Sequence, residues 1–192
     1  EVSQLLAYEA TRALPTALIS IETPVAPMHS PVISGKKLCL VSILRAGNGM
    51  LEGFLDILPL ARVGHIGMAR DPQTLYPTEY LFKVPADIAE RQVLVVDPML
   101  ATGHSAAAAL TRLKEAGASQ IHLITLLAAP EGVRHLLETH PDVPLFTAAL
   151  DSQRGRQVME LFAKVAHERN AGVLVATHDH RTLDVFDRIL EV

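Results

Sequence analysis

Residues 93–105 read Val93-Leu-Val-Val-Asp97-Pro-Met-Leu-Ala-Thr-Gly-His-Ser105, and an alanine-rich stretch follows them. The apolar run that ends at Val96 is typical of a strand buried on both faces of a sheet. The stretch 105–116 predicts a helix, which Gly117 ends. A strand, a loop of small residues and a helix start make one βα unit. This part of the chain therefore predicts a parallel α/β sheet.

The rest of the chain repeats the same alternation. Apolar runs predict strands at 37–44, 63–68, 92–96, 121–127, 144–149 and 172–177. Helical spacing predicts helices at 1–14, 50–58, 105–116, 131–139 and 155–169, with a helical turn at 182–186. Residues 71–77 predict a turn from which 80–84 returns as a hairpin strand. Residues 23–31 contain three prolines and predict a loop or an irregular edge segment. We therefore expect an α/β fold with helices on both faces of the sheet.

Composition excludes several classes of protein. The chain has 192 residues, of which 49% are hydrophobic and 20% charged, so it is not a disordered protein. Its net charge of −4 argues against binding to nucleic acid or to a membrane surface. A single cysteine, Cys39, fits a reducing compartment, and we expect a cytoplasmic protein. Because a helix is already in progress at residue 1, we expect an N-terminally truncated domain.

Ligands of parallel sheets bind beyond the carboxyl ends of the strands, which draws attention to the loops at 45–49 and 97–105. Backbone N–H groups at the start of the helix can cradle a phosphate, and Thr102 and Ser105 can add hydroxyl donors. Gly103 permits a tight turn. Asp97 can hold sugar hydroxyls directly or through Mg²⁺. The alternative is an ordinary βα turn in which Ser105 caps the helix.

The stretch Val95-Val-Asp-Pro-Met-Leu-Ala-Thr-Gly-His-Ser105 closely resembles the phosphoribosyl-diphosphate (PRPP) loop of uracil phosphoribosyltransferases. Further stretches similar to this family follow in order along residues 1–151. They are Ile43-Leu-Arg-Ala-Gly47, Gly64-His-Ile-Gly-Met68, Arg70-Asp-Pro72, Ala128-Ala-Pro-Glu-Gly-Val133, His140-Pro-Asp-Val143 and Thr147-Ala-Ala-Leu-Asp151. The resemblance implies a type I phosphoribosyltransferase fold. It also implies conversion of uracil and PRPP to UMP and pyrophosphate, a pyrimidine-salvage reaction, in a homodimer or larger homo-oligomer.

The resemblance also implies roles for particular residues. Asp97, Arg45 and Arg70 would be catalytic: Asp97 would contact the ribose hydroxyls and Mg²⁺, while the two arginines would bind the pyrophosphate. Forked guanidinium groups and Mg²⁺ suit the charge that develops on this leaving group. The residues implied to bind PRPP are Arg45, Arg70, Asp97, Pro98, Met99, Leu100, Ala101, Thr102, Gly103, His104 and Ser105. Within this loop, His104 stands where the family most often has glycine.

The sequence after Asp151 departs from the family. The glycine-rich segment that holds uracil in the family is absent, so no uracil-binding residue is assigned. Residues 147–192 instead resemble the D-loop and switch-histidine part of an ABC-transporter ATPase, with Thr177-His-Asp179 as the switch loop. The chain has no Walker A loop for such a segment to serve. We therefore expect a phosphoribosyltransferase-like domain at 1–151 and an ATPase-like fragment at 152–192.

Three functions remain open at this point. The first is a uracil phosphoribosyltransferase whose turnover is impaired because its uracil-binding tail is replaced. The second is a non-catalytic, regulatory module that binds PRPP through the same loop. The third is a recombined scaffold without a function. His178 and His180 flank Asp179 and could bind a divalent metal, although a surface loop is the more common reason for such a cluster.

Overall fold

A computed structural model describes residues 1–35, 38–70 and 77–150 and the short strand Leu174–Val175. Of Arg70, Leu174 and Val175 it describes the backbone alone. Several predicted features lie outside these residues: the tip of the turn at 71–76, the helix at 155–169, the helical turn at 182–186 and the cluster at 178–180.

The described chain contains four α-helices and ten strands. The helices are α1 (Val2–Thr11), α2 (Asn48–Ile57), α3 (His104–Glu115) and α4 (Pro130–Thr139). The strands are β1 (Thr16–Glu22), β2 (Pro27–Ile33), β3 (Cys39–Leu44), β4 (Arg62–Arg70), β5 (Pro77–Lys83), β6 (Gln92–Val96), β7 (Met99–Leu100), β8 (Gln120–Ala128), β9 (Leu145–Leu150) and β10 (Leu174–Val175). None of the helices in this part of the chain is both long and apolar enough to cross a bilayer.

The main sheet has the order β10-β9-β8-β6-β3-β4-β5. All neighbours are parallel except β5, which returns antiparallel to β4 as the hairpin prediction expected. The short strand β7 continues beyond β6 and pairs with the end of β8. The predicted α/β class is confirmed. The predicted strand at 172–177 is present as β10, which extends the sheet beside β9.

Apolar side chains form one buried cluster on each face of the sheet. On one face, α1 and α2 contribute Leu6, Ala10, Met50 and Phe54. On the other, α3 and α4 contribute Ala109, Leu110, Leu113, Val133 and Leu136. Leu110 and Leu113 are fully buried, and each stabilises the docking of α3 by about 1.5–3 kcal/mol. Cys39 is a buried free thiol in β3, as expected of a small core residue.

The connections that leave the two central strands, β3 and β6, run in opposite directions across the sheet. From β3 it continues through α2 to β4 on one side, and from β6 it continues through α3 to β8 on the other. Because α2 and α3 cover opposite faces, the carboxyl ends of β3 and β6 open between them. Such a point of reversal is where open α/β sheets bind ligands.

The prediction of a loop or an irregular edge segment at 23–31 is wrong for residues 27–31, which belong to the regular strand β2. Strands β1 and β2 form a separate antiparallel hairpin, with Thr16 opposite Ile33 and Glu22 opposite Pro27. In a two-stranded ribbon each strand has a free edge, so prolines are tolerated where the missing N–H faces outward. The hairpin belongs to neither buried cluster of the described part, and Leu18 is 71% exposed.

Candidate active site

Two loops meet beyond the carboxyl ends of β3 and β6. The first contains Arg45–Gly47 and leads into α2; the second begins at Asp97 and leads into α3. A Cβ atom on Gly47 would lie 2.5 Å from the carbonyl oxygen of Val96, so only glycine allows this approach. The close packing at Gly47 places Arg45 and Asp97 on neighbouring loops at one edge of the sheet.

The second loop presents a row of unpaired backbone donors. The six consecutive N–H groups from Ala101 to Ala106 donate to no acceptor in the described chain. The next N–H, that of Ala107, donates to the carbonyl oxygen of Gly103 at 2.8 Å and begins the helical pattern. Thr102 is exposed, and neither its hydroxyl nor that of Ser105 forms a hydrogen bond to another described residue. These donors, together with the positive end of the α3 dipole, form an anion-binding surface.

Gly103 explains why these donors are free. It occupies the N-cap of α3 with φ 81° and ψ −13°, a left-handed conformation that favours glycine. Glycine has no side chain to accept a hydrogen bond from the first helical turn, and the cap has no side-chain bond. Ser105 lies inside the helix, so the alternative in which Ser105 caps an ordinary βα turn is wrong.

Helix α4 supports the loop from behind through a contact between two glycines. A Cβ atom on Gly103 would lie 2.9 Å from the carbonyl oxygen of Gly132. A Cβ atom on Gly132 would lie 2.5 Å from the carbonyl oxygen of Ala101. The carbonyl of Leu100 accepts the N–H of Ala129 at 2.8 Å, just before α4 begins. The backbone of the loop is therefore seated directly on α4.

Asp97 follows the end of β6 and is half-buried. Burial raises the pKa of its carboxyl group to about 6, and a hydrogen bond from the backbone N–H of Met99 offsets part of that increase. A carboxylate removed from water with so few partners favours a cation or hydroxyl donors as neighbours. Asp97 therefore has the character of a ligand-binding carboxylate at the centre of the site.

The two predicted arginines differ in what the structure describes. Arg45 is exposed and forms no side-chain hydrogen bond or ion pair with the residues described. Its loop is anchored by Ser42, a fully buried residue whose hydroxyl donates to the Asn48 amide oxygen at 2.9 Å. The Leu44–Arg45 peptide bond is cis. Arg70 is the last residue of β4 and lies opposite Pro77, and the structure describes only its backbone.

The remaining predicted residues divide between the loop and the core. Pro98 and Ser105 are partly exposed, while Ala101, Thr102 and His104 are exposed. Met99 is 40% exposed, but the side chain of Leu100 is 1% exposed and packs in the core, so only its backbone can face a ligand. Within the described ranges, no group of three or more His, Cys, Asp or Glu side chains forms a metal site.

His104 and His135 form a pair that sequence spacing did not indicate. His104 is the first residue of α3, and the positive φ of this loop falls on Gly103, the residue before it. Its Nδ1 lies 3.2 Å from Nε2 of His135 in α4. The contact joins residues 31 positions apart. The sequence patterns also assigned no role to Gly132. A glycine inside a helical pattern can indicate close approach of another backbone segment, as it does here.

The fold is shared with solved phosphoribosyltransferases. A hypoxanthine-guanine phosphoribosyltransferase from Bacillus anthracis aligns with a TM-score of 0.50 at 12% identity, covering 67% of this chain and 65% of that one. The AQ2163 protein from Aquifex aeolicus aligns with a TM-score of 0.74 at 30% identity, covering 79% of this chain and 72% of that one. These likenesses show that the chain has the fold of phosphoribosyltransferases, with the loop after β6 at the carboxyl edge of its sheet.

Sequence comparison makes the assignment more specific. The family model described as uracil phosphoribosyltransferase matches residues 1–159. A uracil phosphoribosyltransferase of Rhizobium rhizogenes is 60% identical over 152 residues, which are 79% of this chain and 73% of the relative. One from Acidovorax sp. is 60% identical over 153 residues, covering 80% and 73%. The chain belongs to the uracil phosphoribosyltransferase family. The predicted resemblance is confirmed, and the match extends eight residues beyond Asp151; the ATPase resemblance stays a prediction.

Proposed function

We propose that this protein transfers the 5-phosphoribosyl group of PRPP to uracil, giving UMP and pyrophosphate. The observation that carries the proposal is the row of six free N–H groups beside Asp97. They lie at the carboxyl ends of β3 and β6, where the connections of the chain run in opposite directions across the sheet. A phosphorylated sugar supplies both an anion for the donors and hydroxyls for the carboxylate. Membership of the uracil phosphoribosyltransferase family indicates that the nucleobase is uracil.

The loop from Ala101 to Ser105 would hold the 5′-phosphate. Six unpaired N–H groups and two free hydroxyls give at least two donors for each terminal oxygen of one phosphate. Charge-assisted hydrogen bonds of this kind contribute about 1.5–3 kcal/mol each. Because the loop rests on α4 through Gly103 and Gly132, its donors are already in place before the ligand arrives, which lowers the ordering cost of binding. Pro98, Met99 and Leu100 would lead the backbone past the ribose.

Asp97 would hold the ribose hydroxyls, and the site fits Mg²⁺ brought with PRPP. Mg²⁺ usually binds through one or two carboxylates together with substrate phosphates and water. A half-buried carboxylate with a raised pKa, bonded to the N–H of Met99, matches that requirement. The ion, when bound, would neutralise charge on the pyrophosphate. Arg45, exposed on the adjacent loop, would donate to the same leaving group, and Arg70 is proposed to approach it from the end of β4.

The reaction needs positioning and charge stabilisation more than a strong base. The C1–O bond to pyrophosphate breaks, a bond from C1 to N1 of uracil forms, and the N1 proton is released. Negative charge accumulates on pyrophosphate as the bond breaks, so the guanidinium group of Arg45 interacts more strongly with the transition state than with the substrate. Holding the ribose between Asp97 and the phosphate loop fixes C1 with respect to the incoming base.

We further propose that uracil turnover is weak. Residues 160–192 lie beyond the family match, and the alignments to relatives leave about a quarter of each relative unmatched. The glycine-rich segment that holds uracil in the family is absent from residues 152–192. This proposal includes a domain boundary at residue 151 and an ATPase-like origin of the tail. It assigns no role to residues 178–180. A non-catalytic PRPP-binding module is the second candidate, since it needs the loop alone.

We also propose a homodimer or larger assembly in a reducing cytoplasm. The hairpin β1–β2 exposes Leu18, Ile19, Met28 and Val32 on a ribbon outside both buried clusters. Apolar side chains concentrated on a projecting hairpin are typical of a surface that packs on a partner. A second copy of this chain supplies the matching surface by symmetry. Analytical ultracentrifugation measures the assembly directly.

Calorimetric titration of PRPP–Mg²⁺ tests the function. We expect binding to the unaltered protein and at least a tenfold loss for Asp97→Asn, with Asp142→Asn as a matched surface control. Uracil added to the PRPP complex, with UMP formation followed by chromatography, then measures turnover. Binding with slow UMP formation supports the full proposal. Rapid UMP formation contradicts the impaired tail, binding without UMP favours the regulatory module, and no binding at millimolar PRPP refutes the site.

A further inference from the structure

Two imidazoles lie against the phosphate loop on its α4 side. His104 Nδ1 and His135 Nε2 are 3.2 Å apart, and the two rings meet edge to face with centroids 4.4 Å apart. His135 also touches the loop itself, because its Cδ2 lies 3.2 Å from where a Cβ atom of Gly103 would stand. The pair is thus within one helical turn of the unpaired N–H groups.

The contact between the rings limits the charge that the pair can hold. A hydrogen bond between two imidazoles needs one N–H and one lone pair. The neutral pair satisfies this, and so does a pair with one added proton, because the second ring still supplies its lone pair. A second added proton would set two N–H groups against each other. The contact is therefore compatible with a charge of zero or +1.

Groups of both charge signs surround the pair when no anion is bound. The positive end of α3 disfavours a cation at His104, and the first two turns of α3 carry no other charged side chain. Around His135, α4 carries Glu131, Arg134 and Glu138, with the buried His140 at its end, and Asp97 precedes the loop. A phosphate dianion on the loop would offset the helix dipole and add negative charge beside the pair, which favours a proton on one of the two rings.

We propose that the His104–His135 pair takes up a proton when a phosphate dianion binds to the loop, and so makes recognition of the phosphorylated sugar pH-dependent. The proposal rests on the proposed function, because it assumes that the 5′-phosphate occupies this loop. The pair acts through the electric field and needs no direct contact with the phosphate, since charges within about 10 Å interact at physiological salt. Its histidines are positioning residues for the substrate rather than catalytic ones.

Proton uptake on binding is the test. Ribose 5-phosphate and PRPP–Mg²⁺ are titrated calorimetrically at about pH 7 in buffers of different ionisation enthalpy, and the measured heats give the number of protons taken up. The chains are the unaltered protein, His104→Gln and His135→Gln. His29→Gln, on the exposed hairpin, is the matched control. Proton exchange by the phosphate itself is common to all of them and cancels in the differences.

We expect the unaltered protein and His29→Gln to take up more protons than either site variant. We also expect the site variants to bind PRPP–Mg²⁺ about tenfold more weakly at pH 6 and equally well at pH 8.5. Equal proton uptake and equal pH profiles in all four proteins would overturn the inference while leaving the proposed function intact. Absence of binding to the unaltered protein would instead remove the proposed function and this inference with it. Because two separate variants break the same contact, misfolding of one leaves the other decisive.

Discussion

Replacing Asp97 with asparagine should stabilise the protein while it removes ligand binding. In the folded chain, burial raises the pKa of Asp97 from 3.8 to about 6. Each pKa unit corresponds to about 1.4 kcal/mol, so holding the ionised carboxylate in the folded state costs about 3 kcal/mol. Asparagine has the same shape and never ionises. Asp97→Asn should therefore raise the free energy of unfolding by about 2–3 kcal/mol at pH 7.5.

The sign and the pH range of this effect follow from the two pKa values. Below 3.8 the carboxyl group is protonated in both folded and unfolded chains, so the variant gains nothing. Between 3.8 and about 6 the unfolded chain loses its proton first, and the folded chain loses stability as pH rises. Above that range the full penalty is present. At pH 5 the stabilisation by asparagine should have fallen to about 1.5 kcal/mol.

Urea unfolding followed by circular dichroism at pH 5 and pH 7.5 measures these differences, provided that the slope against urea is unchanged. Asp142→Asn is a control of opposite sign, because Lys114 donates to Asp142 at 2.7 Å and lowers the pKa of that carboxyl group. That exposed pair contributes about 0.2–1 kcal/mol, so the control should lose a little stability. If Asp97→Asn is no more stable than the unaltered protein at pH 7.5, the burial argument is wrong.

Three shorter predictions concern other parts of the molecule. Gly132→Ala should weaken PRPP binding at least tenfold in calorimetry, because its Cβ would stand 2.5 Å from the Ala101 carbonyl, whereas Gly49→Ala meets nothing within 4 Å and should bind normally. Burial lowers the pKa of His140, so this histidine destabilises the folded chain as pH drops below 6.5, and the melting temperature of His140→Gln should rise relative to that of the unaltered protein over the same range. Leu18→Asp should shift sedimentation towards the monomer, because the side chain is 71% exposed on the hairpin; an unchanged sedimentation profile counts against the hairpin contact.

The sheet and the location of the candidate site were predictable because both depend on local patterns. The apolar run before Asp97 predicted β6 to the residue, 92–96, and the rule for carboxyl ends placed the ligand beside it. The hairpin was missed because prolines at 24, 27 and 31 suppress the strand signal, although a free ribbon edge tolerates them.

Other features depended on contacts between distant residues. Spacing along the chain contains no information about the His104–His135 contact, which the docking of α3 beside α4 creates. The alternative prediction, in which Ser105 caps α3, fails for a different reason. Serine is a preferred N-cap residue, but this turn needs a positive φ, so Gly103 is the N-cap and the helix begins at His104. The raised pKa of Asp97 similarly required knowledge of its burial.

The contact between Gly103 and Gly132 limits how this site can evolve. Each residue is already the smallest available. The nearest atom to an added Cβ at either position is a backbone carbonyl oxygen, which no mutation removes, and the side chain of His135 or Leu100 lies just behind it. A mutation at either position thus has no compensating partner, and the separation between loop and helix is fixed. A change in ligand preference at the proposed site would therefore come from side chains on the rim, such as those at 102, 104 and 135.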